Sequence, residues 1–146
     1  GAASGPARRA RRGPRRPVIY LDSSVVLAQL LAEDRVPPDR IWEEEAAVSS
    51  RLMELEVRNR VNARGLREVH GDAVRSLLGR VAFLELVPPV LARALDPFPV
   101  PVRTLDALHL ASIVFLTELD ARPVLATYDV RLADAAAALG IPLADL

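Results

Sequence analysis

The chain has no cysteine and no lysine, and only 4% of its 146 residues are aromatic. Without cysteine there are no disulfides, no thiolate nucleophile and no Cys-ligated zinc, which suits a reducing compartment and makes the cytoplasm the expected location. Few aromatics alongside 51% hydrophobic residues mean a core built from Ala, Leu and Val, suited to helices packed closely on a sheet. No apolar run approaches the roughly 20 residues of a membrane span, and the Arg-rich start is not followed by the apolar region of a signal peptide. Membrane association is therefore not expected. No Gly-x-Gly-x-x-Gly follows the first predicted strand, which argues against a dinucleotide site.

What is present is enough sequence for one domain, able to bury about two thirds of its unfolded surface. The formal charge of zero hides an asymmetry: Arg8, Arg9, Arg11, Arg12, Arg15 and Arg16 stand near the start without an acid among them. The remainder carries thirteen basic against nineteen acidic residues, a net of −6. An acidic body grips nucleic acid poorly by bulk charge, so excess carboxylates ask for a local reason, and metal binding supplies one. Residues 1–17 combine small residues, Pro and Arg without an apolar period and read as a disordered tail, either an extension without a role or an arm that neutralises phosphates. Residues 18–146 read as the folded domain.

Val18–Leu21 reads as a strand that ends at Asp22-Ser23-Ser24 and feeds a helix over Val25–Glu33. After Pro37-Pro38, Asp39 caps a short helix through Glu45, and Ala46–Ser49 forms a second strand. Ser50 caps a helix to Ala63, stopped by Gly65. A helix over Leu66–Ala82, a strand Leu84–Val87 and a short helix from Pro88 to about Asp96 follow. Thr104 is the expected cap of the strongest helix, Leu105–Leu119, in which Leu105, Leu108, Ser112 and Phe115 recur at helical spacing. Past Pro123 come the strand Val124–Thr127, a helix Val130–Leu139 opened by Asp129, and an extended Ile141–Leu143. This alternation predicts an α/β fold with a mostly parallel sheet.

In such a sheet ligands bind outside the carboxyl ends of the strands. Asp22 and Asp129 stand at such junctions, although either is also explained as a helix N-cap. Asp106 lies in the first turn of its helix, where the dipole alone favours an acid. Glu56 has Arg60 four residues on, and Glu54 has Arg58; two residues rotate a helix by about 200°, so only one glutamate can face a given site. Spacing does not choose between them. Carboxylates gathered in a cleft raise one another's pKa unless a cation compensates, and Mg²⁺ or Mn²⁺ suits an oxygen-rich cluster.

Four blocks in order carry a resemblance to PIN-domain nucleases, and within them to VapC-like toxins: Val18–Ser24, Ser50–Arg58, Leu105–Ala111 and Ala126–Leu132. It covers about residues 18–146 and implies a three-layer α/β/α sandwich with a central, mostly parallel sheet. The family's acids fall on Asp22, Glu56, Asp106 and Asp129, which places Glu56 rather than Glu54 at the site. The resemblance implies one or two Mg²⁺ or Mn²⁺ ions that activate water to cut RNA, whether tRNA, rRNA or mRNA. Asp22 and Asp106 would be the principal ligands, Glu56 a ligand or water-positioning base, and Asp129 a ligand directly or through water. Ser23 and Thr127 match hydroxyls that line the site. Arg131 stands where some relatives carry a further acid, which bears on a two-metal arrangement. A homodimer and a cognate antitoxin are also implied.

His109, three residues after Asp106, is expected to be structural and hydrogen-bonded, since the family does not use it as a main ligand. His70 is expected to be exposed, and Trp42 to pack in the core, with an anchor for the first two helices or for a partner as the alternatives. Two rival functions stand beside the nuclease: a non-enzymatic PIN-like scaffold, and a phosphohydrolase with Asp22 as nucleophile. The second lacks its expected second acid, because Ser24 occupies that place.

Overall fold

The computed structural model describes residues 16–32, 34–43 and 46–146. The central strand β1, Arg16–Leu21, pairs in parallel with β2, Ala46–Ser50, which pairs in parallel with β3, Ala82–Leu84. On its other side β1 pairs in parallel with β4, Ala121–Ala126, so the strand order is β3-β2-β1-β4. Around this sheet lie α1 (Ser23–Leu31), α2 (Arg40–Glu43), α3 (Arg51–Ala63), α4 (Arg67–Leu78), α5 (Pro88–Leu95), α6 (Thr104–Glu118) and α7 (Val130–Ala138).

Alternation along β1 separates two cores. Ile19 and Leu21 point to one face and pack with Val25, Ile41, Met53, Val57, Val61, Val74 and Leu78, contributed by α1 to α4. Tyr20 points to the other face, with Leu110, Ile113, Leu132 and Ala136 of α6 and α7. The result is the expected α/β/α sandwich, with the sheet parallel throughout and buried on both sides. Trp42 ties α2 to α1 by donating its indole N–H to Gln29 Oε1 at 3.2 Å, while its ring packs on the first core.

Several boundaries differ from expectation, each for a tertiary reason. β1 begins at Arg16: Arg16 and Pro17 pair with Ala121 and Arg122, so the ladder claims two residues that composition assigns to the tail. The rest of that tail, 1–15, lies outside the described residues, as do Glu33, Glu44 and Glu45 at the ends of two expected helices. β4 likewise includes Pro123, tolerated because β4 borders the sheet. α1 begins at Ser23 and stops at Leu31, where Ala32 turns left-handed at φ 46°. α4 ends at Leu78 rather than Ala82, and β3 sits earlier than Leu84–Val87, because Ala82, Phe83 and Leu84 take the register opposite Val48, Ser49 and Ser50. Thr104 is not a cap: Arg103 holds that position and its side chain makes no capping bond. The buried face of α6 is Ala107, Leu110, Ala111 and Ile113 with His109 and Ser112, while Leu105 is exposed. An almost wholly apolar helix covered on more than one side has no single stripe to read. His70 is half-buried rather than exposed. Ile141–Leu143 joins the sheet through a parallel bridge, Leu143 to Leu125, instead of forming a further strand.

Candidate active site

From β1 the chain crosses to β2 and β3 on one side, whereas β4 lies on the other, so the order reverses between β1 and β4. That reversal opens a crevice at the carboxyl ends of the strands. Asp22 leaves β1 and Thr127-Tyr128-Asp129 leaves β4 at this point. Asp22 N–H donates to Ala126 O at 3.0 Å, which continues the ladder to the rim.

Asp22 is buried, yet its carboxylate is well supplied with donors. Oδ2 accepts from the Ser24 hydroxyl at 2.6 Å, the Thr127 hydroxyl at 2.8 Å and Ser24 N–H at 3.3 Å. The two hydroxyls are themselves fixed: Tyr128 N–H donates to Ser24 Oγ and Asp129 N–H to Thr127 Oγ1, both at 2.9 Å. The serine bonded to Asp22 is thus Ser24, while Ser23, which resemblance matches to a hydroxyl lining the site, lines an adjoining cleft with Ser24, Arg35, Arg60 and Tyr128. Serine two residues after an acid at a helix start was the available signal, since that spacing suits a bond back to the cap.

The cap explanation holds for both aspartates without excluding a site. Asp22 caps α1, and Asp129 Oδ1 accepts from Arg131 N–H at 2.9 Å and Leu132 N–H at 3.3 Å at the start of α7. In each case one oxygen serves the backbone, and the other has no protein hydrogen bond among the described residues. Glu56 follows the same pattern, with Oε1 at 2.6 Å from His109 Nε2. Glu54 turns away and pairs with Arg51 at 3.4 Å and Arg58 at 3.9 Å. The structure therefore separates the two glutamates by their partners, as helical rotation requires.

Asp22, Glu56 and His109 each place one potential ligand atom within 4.8 Å of the others. Opposite ligands of an octahedral Mg²⁺ stand about 4.2 Å apart, so small side-chain adjustments would close that spacing. Asp106 and Asp129 lie outside this group of three. Asp106 nevertheless feels it: partial burial first, then the charges of Asp129 and Asp22, push its pKa up against the opposing pull of His109 and Arg103. A carboxyl that burial and two neighbouring acids make costly to ionise is relieved by a cation, so the donor set fits a hard divalent ion. His109 also titrates higher than usual. Burial opposes its charge, but the bond and charge of Glu56, with Asp22 and Asp106, outweigh that cost.

The PIN domain sequence pattern matches residues 19–138. The chain belongs to the PIN-domain family. It is similar to Ribonuclease VapC47 of Mycobacterium tuberculosis (strain CDC 1551 / Oshkosh), with 34% identity over 122 residues covering 79% of this chain and 87% of that protein. Arginines line the clefts beside the acids of this PIN domain. Arg103 and Arg131 line a hollow of about 480 Å³ with Asp106 and Asp134, so the arginine standing in place of a further acid brings positive charge to the rim.

Proposed function

We propose that the chain is a Mg²⁺- or Mn²⁺-dependent endoribonuclease, the toxin of a toxin–antitoxin pair. Asp22 and Asp106 are the principal ligands in this reading, Asp129 completes the acidic ring, and Glu56 is a further ligand or the base that orients the attacking water. A divalent cation held there supplies the charge that lowers the pKa of water and screens the phosphate as it is attacked. The residues do the rest. Ser24 and Thr127 keep Asp22 in one orientation, Glu56 is restrained by His109, and the arginines at the rim receive phosphates that the acids alone would repel. Water oxygen bonds to phosphorus as the bond to the 3′-oxygen breaks, leaving a 3′-hydroxyl and a 5′-phosphate.

The observation that carries this reading is the convergence of Asp22 and Glu56, from segments far apart in sequence, at the crevice between β1 and β4. The similarity to Ribonuclease VapC47 supports RNA as substrate and a cognate antitoxin as partner. We extend it to tRNA, rRNA or mRNA as the target, to a homodimer, and to action in the cytoplasm; among the described residues no helix is long and apolar enough to cross a membrane. The experiment is RNA cleavage by the purified chain with Mn²⁺, set against Asp106→Asn. Near-complete loss with the fold intact is expected, and unchanged cleavage by the variant defeats the mechanism. A scaffold without activity would show no thermal stabilisation by Mn²⁺ that disappears in Asp22→Ala.

A further inference from the structure

His109 is 1% exposed, yet it lies between two polar groups from opposite sides of the site. Its Nε2 is 2.6 Å from Glu56 Oε1 on α3, and its Nδ1 is 2.7 Å from the hydroxyl of Tyr20 on β1. The Tyr20 and His109 rings meet edge to face, with centroids 5.8 Å apart and planes at 82°. Tyr20 is fully buried and stands two residues before Asp22, so strand alternation points both side chains to the same face of the sheet.

We propose that His109, braced by Tyr20, is a positioning residue that fixes the Glu56 carboxylate for the divalent cation and is not itself a ligand. Three observations carry this. Both ring nitrogens are engaged, so a cation could take His109 only by displacing Glu56 or Tyr20. An ionised Glu56 requires Nε2 to be the donor, and in the neutral ring Nδ1 then accepts from Tyr20, which sets the tautomer from the far side. Finally, a glutamate on a helix is otherwise free to rotate and has Arg60 at the spacing of a surface ion pair. Anchoring Oε1 in the interior holds the carboxylate at the crevice and leaves Oε2 without a protein hydrogen bond among the described residues. Histidine and tyrosine thus do for Glu56 what Ser24 and Thr127 do for Asp22.

The inference rests on the metal-dependent reading above, so its test includes metal binding as well as cleavage. Calorimetric titration with Mn²⁺ would compare the native chain with His109→Gln, His109→Asn and Tyr20→Phe, alongside RNA cleavage at varied Mn²⁺. Glutamine places an amide N–H near the position of Nε2, whereas asparagine reaches toward Tyr20 but falls short of Glu56. His109→Gln should hold Mn²⁺ affinity within about threefold, while His109→Asn loses about 10- to 100-fold, the range for groups that orient a metal ligand. Tyr20→Phe should fall between them, and RNA KM at saturating Mn²⁺ should stay unchanged in all three. Equal loss in the Gln and Asn variants would make His109 a ligand and overturn the proposal. Native Mn²⁺ affinity in His109→Asn would reduce His109 to core filling and overturn it too. A native chain that takes up no Mn²⁺ overturns the functional reading and this one together, whereas native binding with an unaffected Asn variant overturns this one alone.

Discussion

Asp22 and Asp106 are close enough for one charge to act on the other, yet they stand under opposite conditions. Asp22 is buried but receives three donors, and the two hydroxyls among them are held by the turn that follows β4. Asp106, on the first turn of α6, is less buried and has no hydrogen bond among the described residues, and its charge is opposed by burial and by two other acids. In the metal-dependent reading, anchored and unanchored carboxylates therefore divide the work. The first gives up water but gains fixed donors in its place. The second is, in that reading, stabilised chiefly by the cation, so it is the better sensor of binding.

The sharpest way to break this comparison is to remove the anchored acid. Asp22→Asn should abolish Mn²⁺-dependent RNA cleavage by about 1,000-fold or more, since even outer partners of a ligand are worth about 10- to 100-fold. Cleavage within tenfold of the native rate would show that Asp22 is only a cap. Next in size is Thr127→Val, which keeps shape and deletes one donor to Asp22 Oδ2. A hydrogen bond to a charged group contributes about 1.5–3 kcal/mol, so denaturant unfolding should reveal a loss of that order, with weaker Mn²⁺ binding. An unchanged midpoint and unchanged Mn²⁺ affinity would mean that Ser24 alone suffices.

The opposite sign is expected at Asp106. Its pKa is raised in the folded state, so the folded protein favours the protonated form; that favourable contribution is full below the unfolded pKa and is lost as pH rises through the folded value. At pH 7 in EDTA, Asp106→Asn should therefore melt higher than the native chain, and the gap should close below about pH 4, where the unfolded carboxyl also protonates. Saturating Mn²⁺ should reverse the order. A lower melting temperature for the variant at pH 7 in EDTA would contradict the unanchored reading. The smallest effect belongs to Glu54→Gln, which breaks only partly exposed pairs with Arg51 and Arg58. Unfolding should shift by less than about 1 kcal/mol and cleavage by less than twofold; a large loss of activity would place Glu54 in the site after all.

Much of the scaffold was legible before any coordinates. Ser50 was readable as the start of α3, and its hydroxyl accepts from Leu52 N–H at 3.1 Å. Gly65 was readable as a stop and adopts φ +68°, where residues with a side chain are strained. Such signals are local, involving residues within a turn of one another. Strand ends were less legible, since Arg16, Pro17 and Pro123 enter the sheet through pairing with partners more than a hundred residues away. The partner of Glu56 was equally hidden: locally Arg60 satisfies it, and only the approach of α6 to α3 brings His109 to 2.6 Å.

The order of the elements, the parallel character of the sheet and the acids at the strand ends followed from the chain alone, because periodicity, capping and turn chemistry act over a few residues. Which oxygen of each carboxylate is tied down, Ser24 rather than Ser23 beneath Asp22, and the bridge from Tyr20 through His109 to Glu56 were decided by tertiary structure. Those contacts join segments whose separation in sequence carries no information about distance until the sheet orders its strands.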